Sequence, residues 1–158
     1  MTQADWNYPT QIHVGPGRRV ELADYCQSLK IQRPLIVTDR MLLGLPLVQE
    51  VLAALSAAGL APGVFSEVNG NPTGSEVGAG CQAYRAGGHD GVLAVGGGSA
   101  MDVGKTIAVM AHQRCALFDL EDIGDQWQRA DASVIQPIIA VPTTAGTGSE
   151  VGRAALIK

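Results

Sequence analysis

Aromatic residues make up only 4% of this 158-residue chain, and charged residues only 16%. With so few aromatics, any core must be built from Val, Ile, Leu and Ala, which suits buried parallel strands covered by helices. The charge balance, 11 basic against 15 acidic residues for a net charge of −4, supplies no basic stripe for a phosphate backbone. No nucleic-acid partner is expected. No apolar run reaches the roughly 18 residues that a membrane span needs, so no membrane partner is expected either. The opening MTQADWNYPTQ lacks the basic-then-apolar order of a signal peptide. The three cysteines, Cys26, Cys81 and Cys115, are odd in number and far apart. They make neither a disulfide framework nor a zinc site, and a reducing cytoplasm is the simplest setting. His13, His89 and His112 stand at no ligand spacing to one another, so each reads as an ordinary surface or core residue.

Apolar residues make up 46% of the chain. A chain of this length suits one domain and can bury roughly two thirds of its unfolded surface. Along it, strand and helix signals alternate. TQIHVGPG (10–17) reads as a short strand ending in a Gly-Pro-Gly turn, followed by a helix over 18–29 with Val20, Leu22, Ala23 and Cys26 as its apolar positions. RPLIVTD (33–39) is a short apolar run, read as a buried strand. Residues 45–59 fit a helix with Pro46 near its start, Gly59 past its end, and Val48, Val51, Leu52 and Leu55 on one face. A second strand follows at 63–68. Thr73 and Glu76 have capping-box spacing and open a helix to about Arg85. A third strand at 91–96 leads into a helix over 99–113, a polar surface loop over 119–133, and a fourth buried strand at 137–144. The acidic residues of that loop, Asp119, Glu121, Asp122 and Asp125, read as solvated rather than as a metal cage, and Trp6 and Trp127 as packing or surface anchors. The fold class expected is α/β, a doubly wound, mostly parallel sheet with helices on both faces, in one domain over 1–158.

In such sheets ligands sit outside the C-terminal strand ends. Three separate segments fall there: Asp39, GGGS (96–99) and TTAGTGS (143–149). The first glycine turn admits three readings, two of them ligands. A triphosphate loop needs G-x-x-x-x-G-K-[ST]; Gly104-Lys105-Thr106 supplies the second half, but Ser99 stands where the first glycine is required. The usual dinucleotide fingerprint G-x-G-x-x-G fails at Met101, and the acid candidate Asp39 precedes the glycines instead of following them. A dinucleotide would therefore bind on a different doubly wound plan. The third possibility is that Ser99 and Asp102, spaced as S-x-x-D, merely cap their own helix. Three consecutive glycines exceed what a cap needs, and a helix N-terminus behind them favours an anion.

GGGSAMDVGKTIAV together with IAVPTTAGTGSEV resembles the iron-containing, or group III, alcohol dehydrogenases, and the likeness extends to IHVGPG near the start and IVTDRML at Asp39. Glycerol dehydrogenase and dehydroquinate synthase share that Rossmann-like fold but resemble this chain less in PTTAGTGSEV. The resemblance implies an N-terminal α/β domain that binds NAD or NADP, followed in family members by a helical domain holding iron or zinc through one Asp and three His. It implies that Gly97, Gly98 and Ser99 cradle the pyrophosphate and that Asp39 bonds the adenosine ribose. It also implies that Thr143 and Thr144 line the cofactor with Ser149 nearby, and that Asn71 lies near the adenosine end. The sequence stops at Lys158, within AALIK, which reads as a strand in the making. The metal-binding helical domain is therefore expected to be absent, with no catalytic or metal residue in this chain.

The expectation is the NAD-binding part of a metal-dependent oxidoreductase, inactive alone and self-associating. The alternative is a stand-alone, non-catalytic module for NAD binding or assembly. NAD is expected over NADP because the Asp39 carboxylate repels a 2′-phosphate, although Arg40 beside it could hold one.

Overall fold

The computed structural model describes residues 10–158. Trp6 lies outside them. Four strands, β1 (Pro34–Val37), β2 (Gly63–Phe65), β3 (Gly91–Gly96) and β4 (Ile138–Pro142), form one parallel sheet in the order β2-β1-β3-β4. The helices are α1 (Leu22–Ser28), the single turn α2 (Arg40–Leu43), α3 (Pro46–Ala57), α4 (Gly74–Ala86) and α5 (Gly98–Met110).

The sheet is wound on both faces, as the alternation of elements requires. Strand side chains alternate sides. Leu35, Val37 and Val92 pack with Val77, Cys81 and Tyr84 of α4 and with Val103 and Ile107 of α5. Ile36, Leu93 and Val95 pack on the opposite side with Leu22 and Cys26 of α1 and Val48, Val51 and Leu55 of α3. β1 and β3 are fully buried because both faces and both edges are covered.

Local signals set several boundaries. Pro46 opens α3, and Gly59 beyond its end takes φ +81°, a conformation glycine adopts without a Cβ clash. At the start of α4 the Glu76 carboxylate accepts hydrogen bonds from the Thr73 N–H at 2.6 Å and the Thr73 hydroxyl at 2.8 Å.

Other expectations are corrected. Residues 11–14 form no strand: among the described residues nothing pairs with them, and Ile12 and Val14 are exposed. The helix over 18–29 is split into a 3-10 turn, Arg18–Glu21, and α1, and Val20 faces solvent. β2 keeps only three residues in the ladder. β4 is only half-buried over Ile138–Val141, because β3 covers one of its edges and no described strand covers the other. Residues 154–158 form no strand, although the Lys158 N–H donates to the Pro72 carbonyl (2.9 Å) and the Lys158 carbonyl accepts from Gly74 N–H (2.8 Å). Among the described residues no helix is long and apolar enough to cross a membrane.

Candidate functional site

The strand order fixes where a ligand can sit. From β1 the chain moves outward to β2, then crosses back over β1 to β3, so the connections leaving β1 and β3 diverge. That divergence opens a crevice at the C-terminal ends of β1 and β3, the switch point at which doubly wound sheets of this order bind ligands. Asp39 follows β1 there, and Gly96 ends β3 with Gly97 to Ser99 following it.

At the end of β3, Gly96 has φ +153°, and a Cβ on it would stand 2.7 Å from the Ala100 methyl. Gly97 precedes α5 as its N-cap residue, and no side chain caps the helix. The capping role considered for Ser99 and Asp102 is therefore not taken up: Ser99 lies inside the first turn, and the Asp102 carboxylate points elsewhere. The first turn of α5 consequently keeps unclaimed N–H groups and the positive end of its dipole at the rim.

The second glycine turn lies against the first. Thr143 N–H donates to the Gly96 carbonyl at 2.8 Å. A Cβ on Gly97 would stand 3.3 Å from the Thr144 hydroxyl, and one on Gly98 would stand 2.9 Å from the Thr147 methyl. Part of the demand for glycine is thus internal, since two loops must pass each other closely. Gly98, Ser99, Thr147, Ser149, Asn71 and Lys158 line one cleft of about 660 Å³. Asn71 sits there with φ +55°.

Asp39, Gly97, Thr143 and Thr144 do not line that cleft. Asp39 is the N-cap of α2, its Oδ1 accepting from Met41 N–H (2.9 Å) and Leu42 N–H (2.8 Å). Its Oδ2 has no hydrogen-bond partner among the described residues. Arg40 is largely exposed, its guanidinium 3.7 Å from the Glu67 carboxylate, which is exposed too.

Ser149 is committed inward. Its hydroxyl donates to Asp102 Oδ1 and accepts from Lys105 Nζ at 3.0 Å. Lys105 points away from the glycine loop, bonding the carbonyls of Ser149 (2.8 Å), Gly152 (3.3 Å) and Ala154 and pairing with Asp102 at 3.2 Å. Thr106 turns its hydroxyl back onto the Asp102 carbonyl. A triphosphate loop is therefore excluded: its lysine and threonine are spent on protein. Sequence reasoning did not find the Asp102–Lys105 pair as a unit. An acid and a base three residues apart on a helix were visible, but the partners across 149–156 were not.

No three of His, Cys, Asp and Glu converge as metal ligands among the described residues. His13 stacks on Tyr25, His89 bonds the Arg33 carbonyl, and His112 packs edge-on to Tyr84. The side chains described do not fit the metal that the resemblance implies.

A family model described as iron-containing alcohol dehydrogenase matches residues 9–158. The 4-hydroxybutyrate dehydrogenase of Cupriavidus necator is 40% identical over 151 residues, which cover 95% of this chain and 38% of that protein. The choline dehydrogenase of Bacillus subtilis is 34% identical over 149 residues, covering 94% and 37%. Among solved structures, sulfoacetaldehyde reductase from Bifidobacterium kashiwanohense in complex with NAD+ gives a TM-score of 0.84 at 33% identity, covering 96% of this chain and 39% of that one. The chain spans less than two fifths of the length of these curated relatives.

Proposed function

Because the chain belongs to the iron-containing alcohol dehydrogenase family, we propose that it is the NAD(H)-binding part of such an oxidoreductase. The observation that carries the reading is the N-terminus of α5, left without a side-chain cap at the switch point between β1 and β3. Gly97, Gly98 and Ser99 offer backbone N–H groups to a pyrophosphate there. Asn71 faces the same cleft, and Thr143 and Thr144 set the second loop beside it. Ser149 acts in this reading by fixing that loop, since its hydroxyl is already engaged.

Asp39 accepts ribose hydroxyls through its Oδ2 and disfavours NADP, whose 2′-phosphate carries a charge of about −2. Each unit-charge repulsion is about 1 kcal/mol at contact in water and several in a partly buried crevice. A preference of at least about tenfold for NAD follows, since that factor is about 1.4 kcal/mol.

When bound, the nicotinamide supplies hydride chemistry; this chain's share is to bind and orient it. The described residues converge on no metal, so the reading assigns no alcohol oxidation to this chain alone. Three free thiols support the cytoplasmic setting. Ile12 and Val14, exposed on an unpaired segment, support self-association, and light scattering that reports a clean monomer at high concentration would refute it.

Titration calorimetry with NADH tests the central reading. Binding is expected, and it should weaken strongly when Gly98 and Ser99 are replaced by bulky residues. No heat and no change in cofactor fluorescence at millimolar NADH would overturn it.

A further inference from the structure

We propose that Asp102 and Lys105 are positioning residues for the dinucleotide: a clip, internal to the protein, that holds the second glycine loop in register with the first. The inference rests on the NAD(H) reading above.

Residues 147–156 have no helix or strand of their own. Locally their backbone is tied by Val151 and Gly152 N–H groups donating to the Gly148 carbonyl, at 3.1 and 3.3 Å, and by Ser149 N–H donating to the Thr147 hydroxyl at 3.3 Å. At the surface the Thr10 hydroxyl donates to the Val151 carbonyl at 3.2 Å and Arg153 reaches Asp122 and the Trp127 ring, but the densest ties to the rest of the molecule, and the least exposed, come from the pair on α5. Lys105 Nζ gathers the carbonyls of Ser149, Gly152 and Ala154 and the Ser149 hydroxyl. Asp102 takes the Ser149 hydroxyl on Oδ1 and the Leu156 N–H on Oδ2, the latter at 3.1 Å. The two side chains are 14% and 11% exposed, so their pairing is little screened by water.

The stoichiometry separates positioning from ligand contact. An ammonium has three donors, and Lys105 already faces four oxygens of the loop as well as the Asp102 carboxylate. Both Asp102 oxygens are likewise occupied. Neither residue has a group left for a phosphate. The clip instead spans the two walls of the cleft: α5 begins with Gly98 and Ser99, and the clipped segment begins with Thr147 and Gly148. An apparent Kd is the intrinsic value divided by the fraction of molecules already in the binding-competent form. If loss of the clip leaves the loop in place about a tenth of the time, the Kd for NADH rises about tenfold.

The test uses the whole chain and pairs two measurements, NADH titration and hydrogen exchange of individual segments. Lys105→Met should raise the Kd for NADH about tenfold and speed exchange at 147–156, while β3 stays protected. Lys105→Arg, which keeps the charge and the donors, should restore part of both. If Lys105→Met does not fold, Ser149→Ala leaves α5 intact and should show the same two effects on a smaller scale. A raised Kd with unchanged exchange at 147–156 would mean direct contact with the cofactor and overturn the proposal. Faster exchange with an unchanged Kd would overturn it equally, because the clip would then not position the site. Failure of the wild-type chain itself to bind NADH would overturn the dinucleotide reading and the positioning role together, an outcome distinguishable from both.

Discussion

Gly104, in the middle of α5, should behave as a contact residue, and the effect of giving it a side chain should change sign with what stands opposite. A Cβ at 104 would lie 2.7 Å from the Ala94 methyl on β3, with Val92 Cγ1 next at 3.5 Å and Ala94 Cα at 3.7 Å. Carbon atoms prefer about 3.5–4.0 Å, so α5 would have to lift from the sheet by about an ångström. The Ala94 methyl has no rotamer by which to move aside. Such overpacking typically costs 1–3 kcal/mol. Against it, Ala is favoured over Gly in a helix interior by about 0.8–1.0 kcal/mol. Gly104→Ala should therefore destabilise the chain by about 1 kcal/mol, a fall in Tm of roughly 2–4 °C for a protein of this size. In an Ala94→Gly background the close contact disappears and ordinary van der Waals distances remain. There the same substitution should stabilise by about 1 kcal/mol, giving a coupling of roughly 2 kcal/mol between the two sites. Urea unfolding of the four proteins, followed by circular dichroism, measures this. Stabilisation by Gly104→Ala in the native background, or additivity across the cycle, would refute the packing argument. Because α5 carries the rim N–H groups at its start, the single variant should also bind NADH more weakly.

Asp39→Asn separates two roles that the structure assigns to one side chain. Asn caps as well as Asp, so stability should hold within about 0.5 kcal/mol, while the NAD-to-NADP affinity ratio measured by titration should fall several-fold; an unchanged ratio would remove Asp39 from the ribose site. Burial pushes the Glu76 carboxyl up, but the Thr73 hydroxyl and N–H together with Asn69 outweigh it and hold the group below its ordinary 4.5. A depressed carboxylate contributes stability that is fully present above its unfolded value and is lost as pH falls through the folded one. Glu76→Gln should accordingly flatten the acid limb of a stability–pH curve below about 4.5, and an unchanged limb would contradict the assignment. Burial pushes the Cys26 thiol up to about 11 and raises that of Cys81 too, whereas Cys115 is only half-buried. In the native chain a thiol reagent at pH 8 should modify Cys115 rapidly and the other two only on unfolding.

What the sequence determined by itself was what local chemistry determines. Short Val- and Ile-rich runs bounded by turn residues read as buried strands, and their alternation with amphipathic stretches pointed to a parallel sheet covered on both faces. Pro46, Gly59 and the Thr73–Glu76 spacing marked helix ends because caps act within a few residues of themselves. The glycine turn after β3 was legible for the same reason. Tertiary structure decided matters that depend on partners distant in the chain. Residues 11–14 have strand-like composition but no strand beside them, and a ladder needs two. The Asp39 carboxylate was expected at the rim, yet only the turn of α2 showed that one oxygen caps a helix and the other has no hydrogen-bond partner among the described residues. Gly98 proved to be favoured partly by Thr147 passing over it, and Gly97 lies close under Thr144. Lys105, which resembled a phosphate-loop lysine, is drawn by the carbonyls of residues 149–154 because the fold lays that segment along α5. A hydrogen bond is satisfied by whichever partner the chain brings within about 3 Å, and for groups more than 40 residues apart only the assembled sheet sets that distance.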